Sequence, residues 1–296
     1  MIRDRCPGCE SLHSQQLRNF TFDFLHKCQQ CGLVYDKRIP KPEELSALYS
    51  SYSYLTLKHV PKPTLESYQH LLQGFLPYRS SGRILDIGCG QGDFVHVAQE
   101  SGWEATGIEY SEAAVALCKK RGLRVQDSGE VDDLENKASF DVVTAFEVIE
   151  HMLSPSDLFL RAYQLLRPGG LLYLTTPNFD ALLRYLEGQN FAMVAYPEHL
   201  SFQTTKSLAV CASRSGFSAK KITTTGLDLA RLRRAFRIFT QTSGSREKAT
   251  VSDRLAVEAL RDRISENTAL KLAKGLTNSV LGVMQAGDTL KGWFVK

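Results

Sequence analysis

The sequence predicts an α/β protein built around a doubly wound parallel sheet, and three observations carry that prediction. From residue 83 onward, short apolar segments alternate with longer amphipathic ones, as in a chain that alternates strands and helices. A glycine-rich turn at residues 86–92 directly follows the first of these strands. The segment Phe140–Phe146 is apolar and rich in valine, which is typical of a strand buried on both faces.

Length and composition set the outer limits. The chain has 296 residues, of which 43% are hydrophobic and 23% charged. That suits one large domain, or a medium one with small additions. No run of about 18 apolar residues occurs, and no apolar segment near the start indicates a signal peptide. We therefore expect a cytoplasmic protein without a membrane span. A net charge of +4 is too small to indicate nucleic acid by itself.

Four of the seven cysteines form two C-x2-C pairs separated by eighteen residues. Each pair brings two thiolates close enough to bind one tetrahedral ion, with bonds of roughly 2.3 Å. A segment of about 40 residues is too small for a sufficient core, so a metal would supply its folding energy. Four ordinary cysteines or a redox dithiol are the alternatives. The spacing favours a structural zinc ribbon at residues 1–40 with these ligands: Cys6, Cys9, Cys28 and Cys31.

Residues 41–80 are predicted to form a helical linker. Pro42 suits the first turn of a short helix through Leu48, and Thr64 can cap a second helix that ends near Leu76. Three tyrosines between these helices either form a lid over a cleft or pack within the linker: Tyr49, Tyr52 and Tyr54.

The core is predicted over residues 81–226. Its strands are expected at Arg83–Ile87, Glu104–Glu109, Leu123–Gln126, Phe140–Phe146, Gly170–Thr176 and Phe217–Thr225. Its helix caps are expected at Ser111, Ser154, Asn178 and Thr204. The helix that Ser154 opens should stop at Pro168-Gly169-Gly170. Residues 227–287 are typical of basic helices, whose charge is either a solvated face or an anion-binding surface. Leu290–Val295 is again typical of a strand.

The glycine turn runs from Asp86 to Gly92 and opens a helix, so it can bind a ligand through backbone N–H groups. Such a turn alone is equally compatible with NAD or FAD. Here the glycines follow G-x-G-x-G and not the dinucleotide pattern G-x-G-x-x-G. Asp86 would repel a pyrophosphate but suits a cofactor that carries an ammonium and a sulfonium. Glu109, at the end of the second strand, can accept both ribose hydroxyls.

Together these motifs resemble the class I S-adenosylmethionine-dependent methyltransferases. The matching segments are residues 84–92, 107–111, 140–143 and 165–170. The resemblance implies a seven-stranded sheet whose last strand, within residues 288–296, is antiparallel. It implies that Gly88 and Gly90 contact the methionine part of S-adenosylmethionine and that Tyr110 packs on the adenine. The full implied cofactor-binding set is Asp86, Gly88, Cys89, Gly90, Glu109, Tyr110, Asp127 and Phe146.

A narrower resemblance is to bacterial methyltransferases that carry a zinc ribbon before this fold and act on sugars in polysaccharide biosynthesis. The matching segments are residues 28–35, 48–49, 148–151, 176–178, 197–200 and 287–296. It implies a small-molecule or glycan acceptor and a helical insertion at residues 227–287. It also implies a structural zinc ion in the ribbon, in addition to S-adenosylmethionine. Nucleic acid is not the expected partner.

Two histidines are candidates for the general base. His151 follows the fourth strand and His199 lies in the loop after the fifth, at the edge of the sheet where a ligand binds. A neutral imidazole can take a proton from an acceptor near neutral pH. The alternative is that both are structural histidines that bridge loops.

Two other classes of function remain open. An RNA or protein methyltransferase could use the ribbon and the basic helices to bind its substrate. Against base methylation, the fourth strand ends in Ala145-Phe146-Glu147-Val148, without the Asn/Asp-Pro-Pro-aromatic turn usual there. A non-catalytic protein with this fold would have no need of Asp86 and Glu109. The acceptor atom and the oligomeric state are left open.

Overall fold

The computed structural model describes residues 1–18, 20, 24–51, 60–127, 138–191, 193–227, 231–232 and 267–296. Its strands are β1 (Ser14–Gln16), β2 (Leu25–Cys28), β3 (Val34–Asp36), β4 (Arg83–Ile87), β5 (Glu104–Glu109), β6 (Val125–Asp127), β7 (Phe140–Phe146), β8 (Leu166–Pro177), β9 (Ser201–Phe202), β10 (Ser218–Thr225) and β11 (Thr289–Val295). Its α-helices are α1 (Pro42–Ser51), α2 (Lys62–Phe75), α3 (Asp93–Glu100), α4 (Glu112–Lys120), α5 (Pro155–Leu165), α6 (Leu182–Glu187), α7 (Thr205–Arg214) and α8 (Thr268–Val283).

The larger sheet has seven strands in the order β10-β11-β8-β7-β4-β5-β6. Strands β4 to β8 pair in parallel, whereas β11 is antiparallel to both β8 and β10. The chain therefore winds outward from β4 in both directions, which confirms the predicted doubly wound fold. In such sheets the crevice for a ligand opens at the carboxyl ends of the strands where the winding direction changes, here between β4 and β7.

Helices cover both faces of this sheet because each face presents apolar side chains. On one face, Leu158 and Phe159 of α5 and Leu208 of α7 belong to a buried cluster with Leu172 and Phe294 of the strands. On the other face, helices α2, α3 and α4 contribute to a second buried cluster. Each fully buried leucine or phenylalanine stabilises the fold by about 1.5–3 kcal/mol relative to an exposed one.

Two of the predicted helix caps are confirmed. Ser111 Oγ accepts a hydrogen bond from the backbone N–H of Ala114 at the start of α4. Thr204 and Ser207 form a reciprocal capping box at the start of α7, with distances of 2.8 and 3.1 Å. Thr204 lies five residues after His199.

The other three predicted caps do not form the expected side-chain bond, although Ser154 does occupy the N-cap position of α5. Helix α5 does begin at Pro155, but Ser154 Oγ donates to the carbonyl of Pro7 and makes no cap bond. Asn178 does not cap α6, which begins at Leu182; its side chain donates to the carbonyls of two residues 107 and 109 positions away, Gln285 and Gly287. Thr64 lies inside the first turn of α2, which begins at Lys62.

The predicted break at Pro168-Gly169-Gly170 is also wrong. Helix α5 ends at Leu165, and the segment that follows already belongs to β8. Two contacts hold it in the sheet. Arg167 Nε donates to the buried carboxylate of Asp141 at 2.6 Å, and Gly169 N donates to the carbonyl of Lys296.

A smaller sheet of order β1-β2-β3-β9 forms the cysteine-rich unit, residues 1–40, together with β9 from the loop after β8. This pairing was not expected from the sequence. Helix α8 packs on β10 through the buried Leu281. Tyr52, Tyr54 and residues 233–266 lie outside the described residues, and so does the side chain of Tyr49. In the described part of the chain, no helix is long and apolar enough to cross a membrane.

Candidate active site

The glycine turn after β4 has the backbone that a close ligand requires. Gly88 and Gly90 have φ values of 71° and 55°, in the left-handed region that favours glycine. A Cβ on Gly88 would lie 2.5 Å from Val148 Cγ2, so a side chain is excluded there. A Cβ on Gly90 would meet no described atom within 4 Å. Open space therefore adjoins the turn, beside the N-terminus of α3, an end of a helix that attracts negative charge.

Glu109 ties this turn to the end of β5. Its Oε2 accepts from Gly90 N at 2.8 Å and its Oε1 accepts from Ser111 N at 2.9 Å. Each carboxylate oxygen has a second lone pair, so the fixed side chain can still accept two hydroxyl groups. The adjacent Tyr110 is 60% exposed, and Asp127 lies beside Glu109 in the parallel register of β5 and β6. The structure thus brings these three predicted residues together at one edge.

Asp86 is a buried carboxylate at the base of the turn, with only 3% of its surface exposed. Its Oδ1 accepts from Thr144 Oγ1 at 2.7 Å, and the described residues give it no ion-pair partner. Burial raises its pKa to about 7, and the charge of Glu109 adds to this. A bound ammonium group would offset the cost of burying the charge, so the Asp86 carboxylate fits the amino-acid end of S-adenosylmethionine.

Phe146 ends β7 within an aromatic cluster, with ring centroids 4.9 Å from Phe94, 5.7 Å from Tyr68 and 5.8 Å from Tyr173. Burial raises the pKa of Tyr68 to about 12, and the charges of Asp86 and Asp93 add to this. Tyr68 of α2 therefore lies near Asp86, on the side of the glycine turn. Sequence reasoning missed it, because its position in the amphipathic helix is that of an ordinary core residue.

Cys89 contributes to the turn through its backbone. Its side chain is 9% exposed and lies under the turn against β5, where a Cβ on Gly107 would come within 2.6 Å of its Sγ. Cys118 Sγ lies nearby and donates to the carbonyl of Gly90 at 3.3 Å. Cys118 and Cys211 are completely buried, as is usual for small core residues.

The two candidate histidines face each other. Their ring centroids lie 4.9 Å apart at an interplanar angle of 67°. His151 Nδ1 is 2.7 Å from the carbonyl of Glu198, and His199 Nδ1 is 2.7 Å from that of Met193. A carbonyl only accepts, so these contacts assign the proton to Nδ1 in both rings. In the neutral form each Nε2 is then left with a free lone pair for a proton or a ligand.

Backbone pairing brings these histidines together across 48 positions of sequence. His151 lies in a 3-10 turn, Ile149–His151, directly after β7. Leu200 N donates to the carbonyl of Glu150 at 2.8 Å, which joins the His199 loop to that turn. The same loop continues into β9, which pairs with β3, and Asp36 N donates to the carbonyl of Leu200 at 3.0 Å. The cysteine-rich unit therefore holds His199 in position.

Glu150 joins the histidine pair. It is 2% exposed, and its Oε2 accepts from Thr176 Oγ1 at 2.9 Å. Burial raises its pKa, and the charge of Glu147 adds to this. Ligand atoms of Glu150, His151 and His199 all lie within 4.8 Å of one another, close enough to share one divalent cation. The sequence pattern does not distinguish Glu150 from Glu147, so sequence reasoning did not select it.

The four paired cysteines also converge. All are at most 4% exposed, with Cys6 Sγ 3.6 Å from Cys31 Sγ and Cys9 Sγ 3.5 Å from Cys28 Sγ. A tetrahedral zinc site with bonds of roughly 2.3 Å has sulfur–sulfur edges of roughly 3.8 Å. A disulfide would need about 2.05 Å. The geometry therefore fits a four-thiolate zinc site with no position left for a substrate.

The turn of this cysteine cluster is packed against the core. A Cβ on Gly8 would lie 2.9 Å from Leu33 Cδ2 and 3.0 Å from Cys211 Sγ, so a larger residue would require these side chains to shift. Cys211 Sγ of α7 donates to the carbonyl of Gly8 at 3.4 Å, and Ser156 Oγ of α5 donates to that of Pro7 at 2.9 Å.

Comparisons with known proteins agree with this geometry. Residues 58–221, more than half of the chain, match a family described as methyltransferase domain. A ubiquinone biosynthesis O-methyltransferase of Aromatoleum aromaticum is 28% identical over 156 residues, 47% of this chain and 65% of that protein. A probable S-adenosylmethionine-dependent methyltransferase of Mycolicibacterium smegmatis is 36% identical over 106 residues, 35% of this chain and 41% of that protein. The chain thus spans less than two thirds of the length of either relative.

Solved structures show the same fold at low identity. A putative sarcosine dimethylglycine methyltransferase from Galdieria sulphuraria superposes with a TM-score of 0.51 at 11% identity, covering 86% of this chain and 97% of that one. A SAM-dependent methyltransferase from Archaeoglobus fulgidus gives 0.50 at 18% identity, covering 78% and 94%. Because the family match covers more than half of the sequence, this chain belongs to the methyltransferase-domain family.

Proposed function

We propose that the protein transfers a methyl group from S-adenosylmethionine to a hydroxyl oxygen of a small-molecule acceptor, with a histidine as general base. One observation carries the proposal: the glycine turn follows β4, and His151, which contacts His199, follows β7, the strand adjacent and parallel to β4. Their carboxyl ends share one edge of the sheet, so a cofactor on the turn and an acceptor at the histidines would be neighbours.

The cofactor would be held by the turn and the ends of the first two core strands. Gly88 and Gly90 allow the backbone to approach the methionine part, and Asp86 would pair with its ammonium group. Glu109 would accept the ribose hydroxyls, with Tyr110 and Asp127 beside the adenine and Phe146 at the floor. When bound, S-adenosylmethionine supplies a methyl group that its sulfonium already activates.

His199 is the proposed base, with His151 as its partner. The hydrogen bond from Nδ1 to the Met193 carbonyl fixes the His199 ring and leaves Nε2 to take the acceptor proton. His151 lies close enough to contact the His199 ring after His199 has taken the proton. Burial lowers the pKa of His151, and the nearby His199 adds to this. A positioned general base contributes about 10²–10⁴-fold to the rate.

The convergence of Glu150, His151 and His199 supports a second arrangement at the same place. A divalent cation held there would stabilise the deprotonated acceptor oxygen in place of a free base. Recovery after excess EDTA distinguishes the two, because activity restored by Mg²⁺ or Mn²⁺ indicates a cation at the histidines, whereas the four-thiolate site favours Zn²⁺.

Support for the acceptor class comes from two sides. Relatives of this chain include ubiquinone biosynthesis O-methyltransferases, which favours an oxygen acceptor. The resemblance to methyltransferases with a zinc ribbon favours a sugar, nucleotide-linked sugar or glycan; methyl transfer to carbon is the alternative. An RNA or protein acceptor bound by the ribbon and the basic helices is the competing class.

The test is formation of S-adenosylhomocysteine by the full chain with a panel of nucleotide-linked sugars, catechols and short RNAs. We expect turnover with a nucleotide-linked sugar. His199→Ala should turn over about 10²–10⁴-fold more slowly, with unchanged affinity for S-adenosylhomocysteine. The exposed Lys62→Gln is the matched control. If His199→Ala and His151→Ala both retain near wild-type turnover from pH 6 to 9, the histidine proposal is wrong.

A further inference from the structure

An open cavity of about 610 Å³ lies between the cysteine-rich unit and the segment that follows β8. Residues of β1 and β2 form one wall, and Phe179 and Arg184 form the other. The volume is within the usual range of about 300–1,000 Å³ for small-molecule sites. The proposed cofactor and base residues do not line it.

The cavity is cationic. Arg18, Lys27 and Arg184 line it, and none of the described residues in its wall is acidic. Arg184 Nε is buried and has no hydrogen-bond partner among the described residues. Its Nη2 is 3.9 Å from Asp180, whose side chain is 42% exposed, so this ion pair is weak. Three cations and an unsatisfied buried donor favour an anion with more than one charge.

Aromatic rings stand beside these cations. The centroids of Phe20 and Phe179 lie 5.9 Å apart at 40°, and the Arg184 guanidinium lies 4.7 Å above the Phe179 ring. Phenyl rings next to cations provide a stacking surface for a planar base beside its phosphates. The amide of Gln15 in the same wall can donate to and accept from a base edge.

Packed aromatic rings connect the wall of the cavity to the histidines. The Phe179 ring contacts Phe202 at 6.1 Å between centroids, and Phe202 contacts His199 at 6.3 Å. Two ring contacts therefore separate the cavity from the proposed base. An acceptor that is anchored in the cavity and extends around these rings would bring its other end to the reaction centre, and remote binding energy of this kind positions an acceptor.

We infer that this cavity binds the nucleoside diphosphate part of the acceptor and that the sugar it carries is methylated at the histidine pair. The inference deepens the proposed function and rests on it for the reaction, but not for the binding of the nucleotide. Charge supplies the affinity for the diphosphate, and the phenylalanines and Gln15 supply the preference for a nucleoside over a bare anion.

The test is calorimetric titration of the full chain with UDP, dTDP, inorganic pyrophosphate and uridine at 50 and 200 mM salt. We expect UDP or dTDP to bind, more weakly at the higher salt, and to bind at least tenfold more tightly than pyrophosphate or uridine. Lys27→Gln and Arg184→Gln should each weaken nucleotide binding about tenfold or more. Lys62→Gln on exposed α2 is the matched control and should not change it.

Binding of S-adenosylhomocysteine is measured on every variant, which shows that the fold is intact and separates the two proposals. Because Arg184 packs on Phe179, Lys27→Gln keeps the inference testable if Arg184→Gln misfolds. S-adenosylhomocysteine binding without any UDP or dTDP binding would overturn the cavity assignment and leave methyl transfer standing. The reverse result would support the cavity and overturn the proposed function. Equal affinity for pyrophosphate, or binding only of a single-stranded RNA, would also overturn the nucleoside diphosphate assignment.

Discussion

The cofactor half and the acceptor half of the candidate site are built in opposite ways. The cofactor half consists of residues 86–92 and 109–111, two short segments that hydrogen-bond directly to each other through Glu109. The acceptor half consists of Glu150, His151 and the loop 196–200. Its geometry depends on partners far away in sequence, above all the pairing of β9 with β3.

This difference suggests that the two halves can fail independently. The cofactor half is built on neighbouring strands of the core sheet and makes no contact with the cysteine-rich unit among the contacts given above. The acceptor half needs the cysteine-rich unit, because His199 lies two residues before β9 and its loop is bonded to Asp36 and Glu150. A perturbation of the cysteine cluster should therefore affect catalysis more than cofactor binding.

The largest expected effect is that of Cys28→Ser. Loss of one of four thiolates should release the zinc, unfold the cysteine-rich unit and leave His199 without its support. We expect kcat to fall at least as far as in His199→Ala, while the affinity for S-adenosylhomocysteine stays within a few-fold of wild type. Elemental analysis of the wild-type chain should find one zinc.

Calorimetry and turnover on the same preparation check this contrast. The buried Cys211→Ser, which leaves all four predicted ligands in place, is the control for a cysteine change near the same site. If Cys28→Ser abolishes S-adenosylhomocysteine binding as well, the two halves form one cooperative unit and the comparison is wrong.

The next effect is confined to the acceptor half. His199→Ala should slow turnover about 10²–10⁴-fold, which corresponds to about 3–5 kcal/mol in activation free energy, because the base is lost while the cofactor contacts remain. A histidine with only a structural role would instead lower the melting temperature and the cofactor affinity together. Turnover, thermal unfolding and cofactor titration on one variant separate these outcomes.

Asp86 tests the cofactor half through pH. Burial raises its pKa to about 7 from an ordinary value near 3.8. Between these values the folded chain keeps a proton that the unfolded chain releases, so this group's contribution to stability falls as pH rises from about 4 to 7. Asp86→Asn should therefore increase the free energy of unfolding above pH 7 by about 1–4 kcal/mol.

The same residue should give binding the opposite dependence. An ionised Asp86 attracts the ammonium group of S-adenosylhomocysteine, so wild-type affinity should rise from pH 6 to pH 8. Asp86→Asn should bind more weakly and without that rise. Denaturant unfolding and calorimetry at several pH values measure both trends; a variant that is less stable at pH 8 would contradict the assignment.

Glu109→Ala should have a smaller effect on the same half. It removes the acceptors for Gly90 N, Ser111 N and the proposed ribose hydroxyls, which should weaken S-adenosylhomocysteine binding by about 1–3 kcal/mol. The kcat at saturating cofactor should change little. A large fall in kcat with unchanged affinity would contradict this prediction, because Glu109 would then belong to the acceptor half.

The contrast between the halves also explains what the sequence could predict. The fold and the glycine turn follow from local patterns: apolar strands, glycines at left-handed positions and an acidic residue after β5. The histidines were found because each follows a core strand. Their contact was not found, because β9 is only two residues long and carries no pattern of its own.

Long-range hydrogen bonds account for the other misses. Asparagine is a common helix-capping residue, yet the amide of Asn178 donates to carbonyls more than 100 positions away. Local sequence patterns cannot predict such a contact. Glu150 and Glu147 look alike in sequence, and only burial against Thr176 and the two histidines distinguishes Glu150. Local sequence patterns therefore predicted the cofactor half well. In the acceptor half they predicted individual residues but not the contacts between them.

The smallest expected effect tests whether the acceptor half tolerates a change next to it that leaves its hydrogen bonds to the core intact. Thr204→Ala removes one side of the capping box of α7, five residues after His199, and should lower the free energy of unfolding by about 0.5–2 kcal/mol. The bonds that hold the His199 loop run through Leu200, Ser201 and Phe202, and none of them uses the Thr204 side chain. We therefore expect kcat and the affinity for S-adenosylhomocysteine to remain within about twofold of wild type. Chemical denaturation checks the first expectation and steady-state kinetics the second. A fall in kcat comparable to that of His199→Ala would mean that the loop is positioned by α7 and not by the cysteine-rich unit, because Thr204→Ala differs from the wild type only in the helix cap.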